Sequence, residues 1–132
     1  MYLDFKISEF CIDDSDIRQE VADKILGHIC ILQDIRNQLG RPVIISKNSG
    51  YRPYDYERAK GRSGNSEHCF VGNGAVDVTC DPYYMEDLLF LLHESKYNRV
   101  CYYSNQKFIH CDFKGNEKKK YICDGVTGWV SA

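Results

Sequence analysis

The chain has no large excess of charge, no long apolar run and no paired-cysteine motif, and each absence narrows what it can do. Its 17 basic and 19 acidic residues leave a net charge of −2, which gives no electrostatic argument for nucleic acid or an anionic membrane. The one basic run, Lys118-Lys119-Lys120, reads as a solvated turn. No stretch approaches the ~18 apolar residues of a membrane helix. The opening "MYLDFKISEF" shows neither the basic nor the apolar region of a signal peptide. The seven cysteines are odd in number and form no CxxC pair, so a cysteine zinc site lacks its ligand spacing. They are expected to be mostly reduced thiols, packed as small hydrophobes. Internal repeats, low-complexity segments and linkers are missing too, so one domain over residues 1–132 is expected.

What is present is ordinary globular composition, 43% hydrophobic and 27% charged, enough for a single modest core. Ile17, Val21, Ile25, Ile29, Leu32, Ile35 and Leu39 recur near the 3.6-residue period. They predict a helix over 14–39, with Asp14, Ser15 and Asp16 as caps and Gly40 as its stop. His28 falls on this helix as a surface or boundary residue. "PVIISKN" reads as a β run, and "GAVDVT" as a strand buried on at least one face. "DPYYMEDLLFLLHES" reads as a second helix, with His93 near its end, where a cation suits the helix dipole. "RVCYYS" and "KFIHCDFK" pair as a hairpin around Asn105-Gln106, and "KKKYICDGVTGWV" adds a last short strand. This order predicts an α+β fold, with helices packed on a small, largely antiparallel sheet.

Three polar side chains stand where a strand should be apolar: His68 at a strand entrance, Asp77 between two valines, and His110 in "FIHCDF". Burying an unpaired acid is costly, so Asp77 needs a partner. Alternation places Phe108, His110 and Asp112 on one face of their strand and Ile109, Cys111 and Phe113 on the other. Two histidines and a carboxylate suffice as ligands for a catalytic zinc with one open position. Each residue also has a plainer role: a strand histidine satisfied in the core, or an aspartate capping a loop.

The segment "SEHCFVGNGAVDVT" resembles the Ser-x-His…Gly-x-Ala-x-Asp signature of the zinc D-alanyl-D-alanine carboxypeptidase and murein peptidase family, whose superfamily includes the Hedgehog domain. "SGYR" (Ser49 to Arg52) resembles the family's upstream motif, "FIHCD" its His-x-Asp strand, and "FKISEF" the start of its small phage and bacterial members. The resemblance implies His68, Asp77 and His110 as ligands of one Zn²⁺. It implies Arg52, with Tyr51 and Ser66, at the substrate, Arg52 holding a carboxylate or the oxyanion. The His68–Asp77 loop is two residues longer than the family's spacing, an excess that Gly72 and Gly74 can absorb. The family's catalytic Glu is also missing: Lys107 stands three residues before His110, and Ser104 six before. Asp112 is then either the base or a carboxylate that orients a ligand histidine.

These readings lead to a monomeric zinc peptidase acting on D-Ala-containing peptidoglycan stem peptides or cross-links, with no nucleic-acid or membrane partner. The alternative is a non-catalytic zinc-binding module for protein or virion assembly. Lacking a visible export signal, an enzyme of this kind is expected to be made in the cytoplasm. It would act at the cell wall as a phage lysis or virion-associated enzyme.

Overall fold

Apolar residues three and four apart make Gln19–Leu39 the longest helix, α1, burying Val21, Ile25, Ile29, Leu32 and Ile35 along one stripe. The computed structural model describes residues 3–12, 17–126 and 128–132. The caps expected at Asp14, Ser15 and Asp16 lie outside the described residues. Within them the helix begins after Arg18, and it ends as expected at Gly40, which adopts φ 70° and donates its N–H to the Arg36 carbonyl.

Two further helices follow, α2 (Tyr54–Ala59) and α3 (Met85–His93). Among the described residues the sheet has six strands: β1 (Ile44–Ile45), β2 (Ala75–Thr79), β3 (Arg99–Tyr103), β4 (Phe108–Asp112), β5 (Lys119–Cys123) and β6 (Trp129–Ser131). They are ordered β1-β2-β4-β3-β5-β6, and every pair is antiparallel except β3 with β5. The α+β architecture read from the sequence is therefore the one observed. The expected β run over 42–48 is a strand only at Ile44–Ile45. The tail forms two strands instead of one, and Lys119 and Lys120 lie in β5 rather than in a turn.

Helices α1 and α3 cover one face of the sheet. There Val76, Val78, Val100, Ile109 and Cys111 join Ile25, Leu32, Leu88 and Leu92 in a single core. Because strand side chains alternate, the other face receives Asp77 from β2, Arg99 and Tyr103 from β3, and Phe108, His110 and Asp112 from β4. Register sets Asp77 directly opposite His110, and Asp112 directly opposite Arg99. The acid between two valines is thus a consequence of a strand with one core face and one polar face. Cys69, Cys80, Cys101, Cys111 and Cys123 are buried, and all seven cysteines are free thiols.

His28 is the clearest correction: it is fully buried, not a boundary residue. Its Nε2 faces the Asn73 carbonyl at 2.9 Å, so that nitrogen donates, and Nδ1 accepts from the Tyr97 hydroxyl at 2.6 Å. Burial holds its pKa down to about 4. Between about pH 6.5 and 4 the unfolded chain therefore binds the proton that the folded one refuses, and stability falls as pH drops through that window. The expected loss is ~3 kcal/mol at most, read by urea unfolding across pH. In His28→Gln the slope in that window should flatten, and an unchanged slope would refute the assignment. His93 is corrected in the same sense: burial and Lys120 lower its pKa, so the expected terminal cation is not favoured.

Candidate functional site

The site is assembled from one turn and two neighbouring strands. His68 comes from the turn Glu67–Cys69, which starts with the Ser66 hydroxyl accepting the His68 N–H. Asp77 and His110 come from β2 and β4. Three donor atoms converge: His68 Nε2 lies 3.2 Å from His110 Nδ1 and 3.4 Å from Asp77 Oδ1, and His110 Nδ1 lies 3.0 Å from the same oxygen.

The outer hydrogen bonds fix what these atoms are. His68 Nδ1 sits 2.9 Å from the Gly50 carbonyl oxygen, which can only accept, so Nδ1 carries the hydrogen and Nε2 offers a lone pair. His110 Nε2 sits 2.7 Å from Asp112 Oδ2, so it too donates outward, and Nδ1 offers its lone pair. Two lone pairs and a carboxylate oxygen then face one point, an arrangement that repels itself unless a metal ion, or in its absence a proton, lies there. Ligands held ~2.0–2.1 Å from a tetrahedral zinc stand ~3.3 Å apart, which matches the three separations. The residues present therefore fit a single zinc ion, with each histidine oriented by its second nitrogen.

Local backbone geometry supports this placement. Gly50 passes so close to Phe10 that an added Cβ would lie 2.5 Å from its carbonyl oxygen, so only glycine brings the Gly50 carbonyl under His68. Ser49 O accepts the Asp77 N–H, and the Arg52 N–H is donated to His68 O, which ties the Ser49–Arg52 motif to both ligands. The longer loop is held from α1. Lys24 Nζ reaches the Phe70 and Val71 carbonyls, His28 takes Asn73, and Gly74 adopts φ 85° where a side chain would meet the Phe70 ring. Gly74 therefore supplies the freedom expected of it, whereas Gly72 has no positive φ and an added Cβ would meet only Glu67 Oε2 at 3.6 Å, so its backbone does not require glycine.

Charges follow the geometry. Burial disfavours ionised Asp77, but hydrogen bonds to His110 and His68 outweigh it and hold the carboxyl well below the usual range. Burial likewise opposes a charged His110, and its bonds to Asp112 and Asp77 prevail and raise its pKa. Asp112 is also held low, by His110 and by Arg99, against the effect of burial.

Arg52 and Ser66 line a cavity of about 350 Å³ above the donor atoms. Arg52 points one guanidinium nitrogen at Asp77 Oδ2, 3.4 Å away, and another at Glu57, 3.6 Å away. Tyr51 is not among the lining residues. It packs against the core, edge-on to Phe70 at 5.7 Å, because its backbone turns away beside Phe10. Asp112 does not suit the role of base. It is fully buried, grips Arg99 through both oxygens, accepts the Lys114 N–H and sits against the outward nitrogen of His110. A carboxylate so placed orients the ring and has no path to a water at Nδ1.

Sequence reading missed Glu57, Glu67, Arg99, Tyr103 and Trp129, of which the last four line the cavity. Only Arg99 left a signal, as an arginine at a strand start whose partner strand ends in Asp112. Comparison with curated proteins returned no match. The family model described as peptidase M15 matches residues 3–112. That span holds every donor atom of the site, and M15 peptidases are zinc-dependent. The chain belongs to the peptidase M15 family.

Proposed function

We propose that the protein hydrolyses peptide bonds of peptidoglycan stem peptides or cross-links, at positions that involve D-alanine. The observation that carries this reading is the convergence of His68 Nε2, His110 Nδ1 and Asp77 Oδ1 at the floor of a cavity that also holds Arg52. A bound zinc would supply a Lewis acid and an acidified water there. His68 and His110 hold their lone pairs in place through Gly50 and Asp112. Arg52, anchored by the Asn48 carbonyl and by Glu57, presents its fork to a substrate carboxylate or to a developing oxyanion. Glu67 is the lining carboxylate outside the donor set, and proton transfer falls to it rather than to Asp112.

A binding-only role is the second reading, favoured by Lys107 and Ser104 standing where related peptidases carry an acid. Digestion of purified peptidoglycan by the zinc-loaded protein, followed by mass spectrometry, separates the two. The expected products are D-Ala-containing fragments, and zinc-loaded protein that releases none would sink the hydrolase reading. Asp112→Asn, which keeps the shape but removes the charge behind His110, should weaken zinc binding about 10- to 100-fold. Unchanged zinc affinity in that variant would mean that Asp112 does not orient the ligand.

A further inference from the structure

Strands β5 and β6 lie outside residues 3–112, the part shared with the family model, yet β6 contributes Trp129 to the cavity lining. β5 adds to β3 in parallel, and β6 pairs back on β5 as the sheet edge. From that edge Trp129 reaches over the site. Its Nε1 donates to the Tyr103 hydroxyl at 2.7 Å, and its ring lies 5.1 Å from the His110 ring. The Arg99 guanidinium, itself clamped by Asp112, stands 4.8 Å over the same indole. One side chain thus binds three groups of the site from outside the shared segment. Val130 and Ser131 beside it are exposed, so Trp129 supplies most of what β6 buries.

We infer that Trp129 is a specificity-determining residue, forming the wall against which the residue on the acyl side of the scissile bond must fit. The inference rests on the hydrolase reading above. Arg52 approaches the donor set from Asp77, and Trp129 approaches it from His110. A substrate whose terminal carboxylate is held by Arg52 therefore directs its acyl side toward Trp129. The indole is fixed by Tyr103 and Arg99, so it limits size instead of yielding. The wall favours a methyl-sized side chain and excludes a branched one. Beyond Arg99 and Lys114 lies a second cavity of about 260 Å³, lined also by Lys119, Tyr121 and Glu117.

The test uses acetyl-Lys-D-Ala-D-Ala and acetyl-Lys-D-Leu-D-Ala, each with a reduced, non-hydrolysable scissile bond, titrated by calorimetry into zinc-loaded protein. Wild type should prefer the D-Ala peptide at least ~10-fold. Trp129→Ala should bring that ratio below ~3-fold while binding zinc as wild type does, and Trp129→Phe should leave it intermediate. Trp129 is the single tryptophan, so its emission should also shift as the D-Ala peptide binds to wild type. A wild type that binds neither peptide or does not discriminate, or a Trp129→Ala that keeps the full ratio, would overturn the inference. Should Trp129→Ala fail to fold, a Trp129→Phe ratio equal to that of wild type does the same. Cleavage of the ordinary amide peptides is scored separately. Discrimination without cleavage overturns the hydrolase reading alone, and cleavage without discrimination overturns this one alone.

Discussion

His68→Ala is expected to take bound zinc from about one ion per chain to near none after dialysis, and to cut peptide hydrolysis at least ~1,000-fold. Removing its Nε2 leaves two donors, Asp77 Oδ1 and His110 Nδ1, which are too few for a metal that needs three protein ligands and an open position. The effect extends beyond activity. A ligand that binds only the folded state adds ~4 kcal/mol at a thousandfold excess over its dissociation constant, so zinc should raise the melting temperature of wild type and not of the variant. The metal-free proteins should differ less than the zinc-loaded ones, because without the ion the bond between His110 Nδ1 and Asp77 Oδ1 at 3.0 Å remains in both. A variant that retains zinc and its thermal shift would place the metal elsewhere.

Glu57→Ala is expected to cost ~3 kcal/mol of stability, the lower end of the range for removing one partner of a buried ion pair. Glu57 is fully buried on α2 between two guanidiniums. Arg62, bonded through Nε to Glu57 Oε2, is about half exposed and can turn to water once released. Arg52 is only 18% exposed and cannot, so it bears the loss of its counter-charge. Among the described residues Glu57 Oε1 has no hydrogen-bond partner, and it acts on Arg52 at 3.6 Å through charge. Glu57→Gln therefore distinguishes charge from shape: it should lose most of the same stability and raise KM, because Arg52 is no longer held toward the cavity. Urea unfolding reads the first effect and steady-state kinetics the second. A loss under ~1 kcal/mol in Glu57→Ala would show that Arg52 is adequately held by Asn48 and Asp77.

The two halves of the site were unequally legible in the sequence. Asp77 between Val76 and Val78, and His110 between Ile109 and Cys111, announce strands with one polar face, since the period of two is local and strict. Which nitrogen of His110 meets Asp112 is not local. Strand residues two apart share a face, but only the ring's rotation decides whether the carboxylate grips Nε2 or faces the metal side. Trp129 depends on β5 joining β3 in parallel and on β6 pairing back on β5, and no turn sequence specifies the first of these. His28 was misplaced because helical periodicity assigns a polar residue to the surface. Here Tyr97 and the Asn73 carbonyl satisfy both ring nitrogens, so it could be buried. The extra length of the His68–Asp77 loop, unexplained by spacing, is accounted for by the same contact and by Lys24.

Glu57 illustrates the remaining gap. In "YDYERAKGR" it reads as a surface residue of a short helix, and only the fold brings Arg52 and Arg62 to either side of it. Its partners lie five residues away in each direction, beyond the helical spacing that would have paired them on one face.

The most direct measurement of the central claim is X-ray absorption at the zinc edge on the zinc-loaded wild type. Nitrogen and oxygen neighbours only, with the multiple scattering of imidazole, are expected from His68, His110 and Asp77. Sulfur in the coordination shell would put the metal on the cysteines and contradict the account.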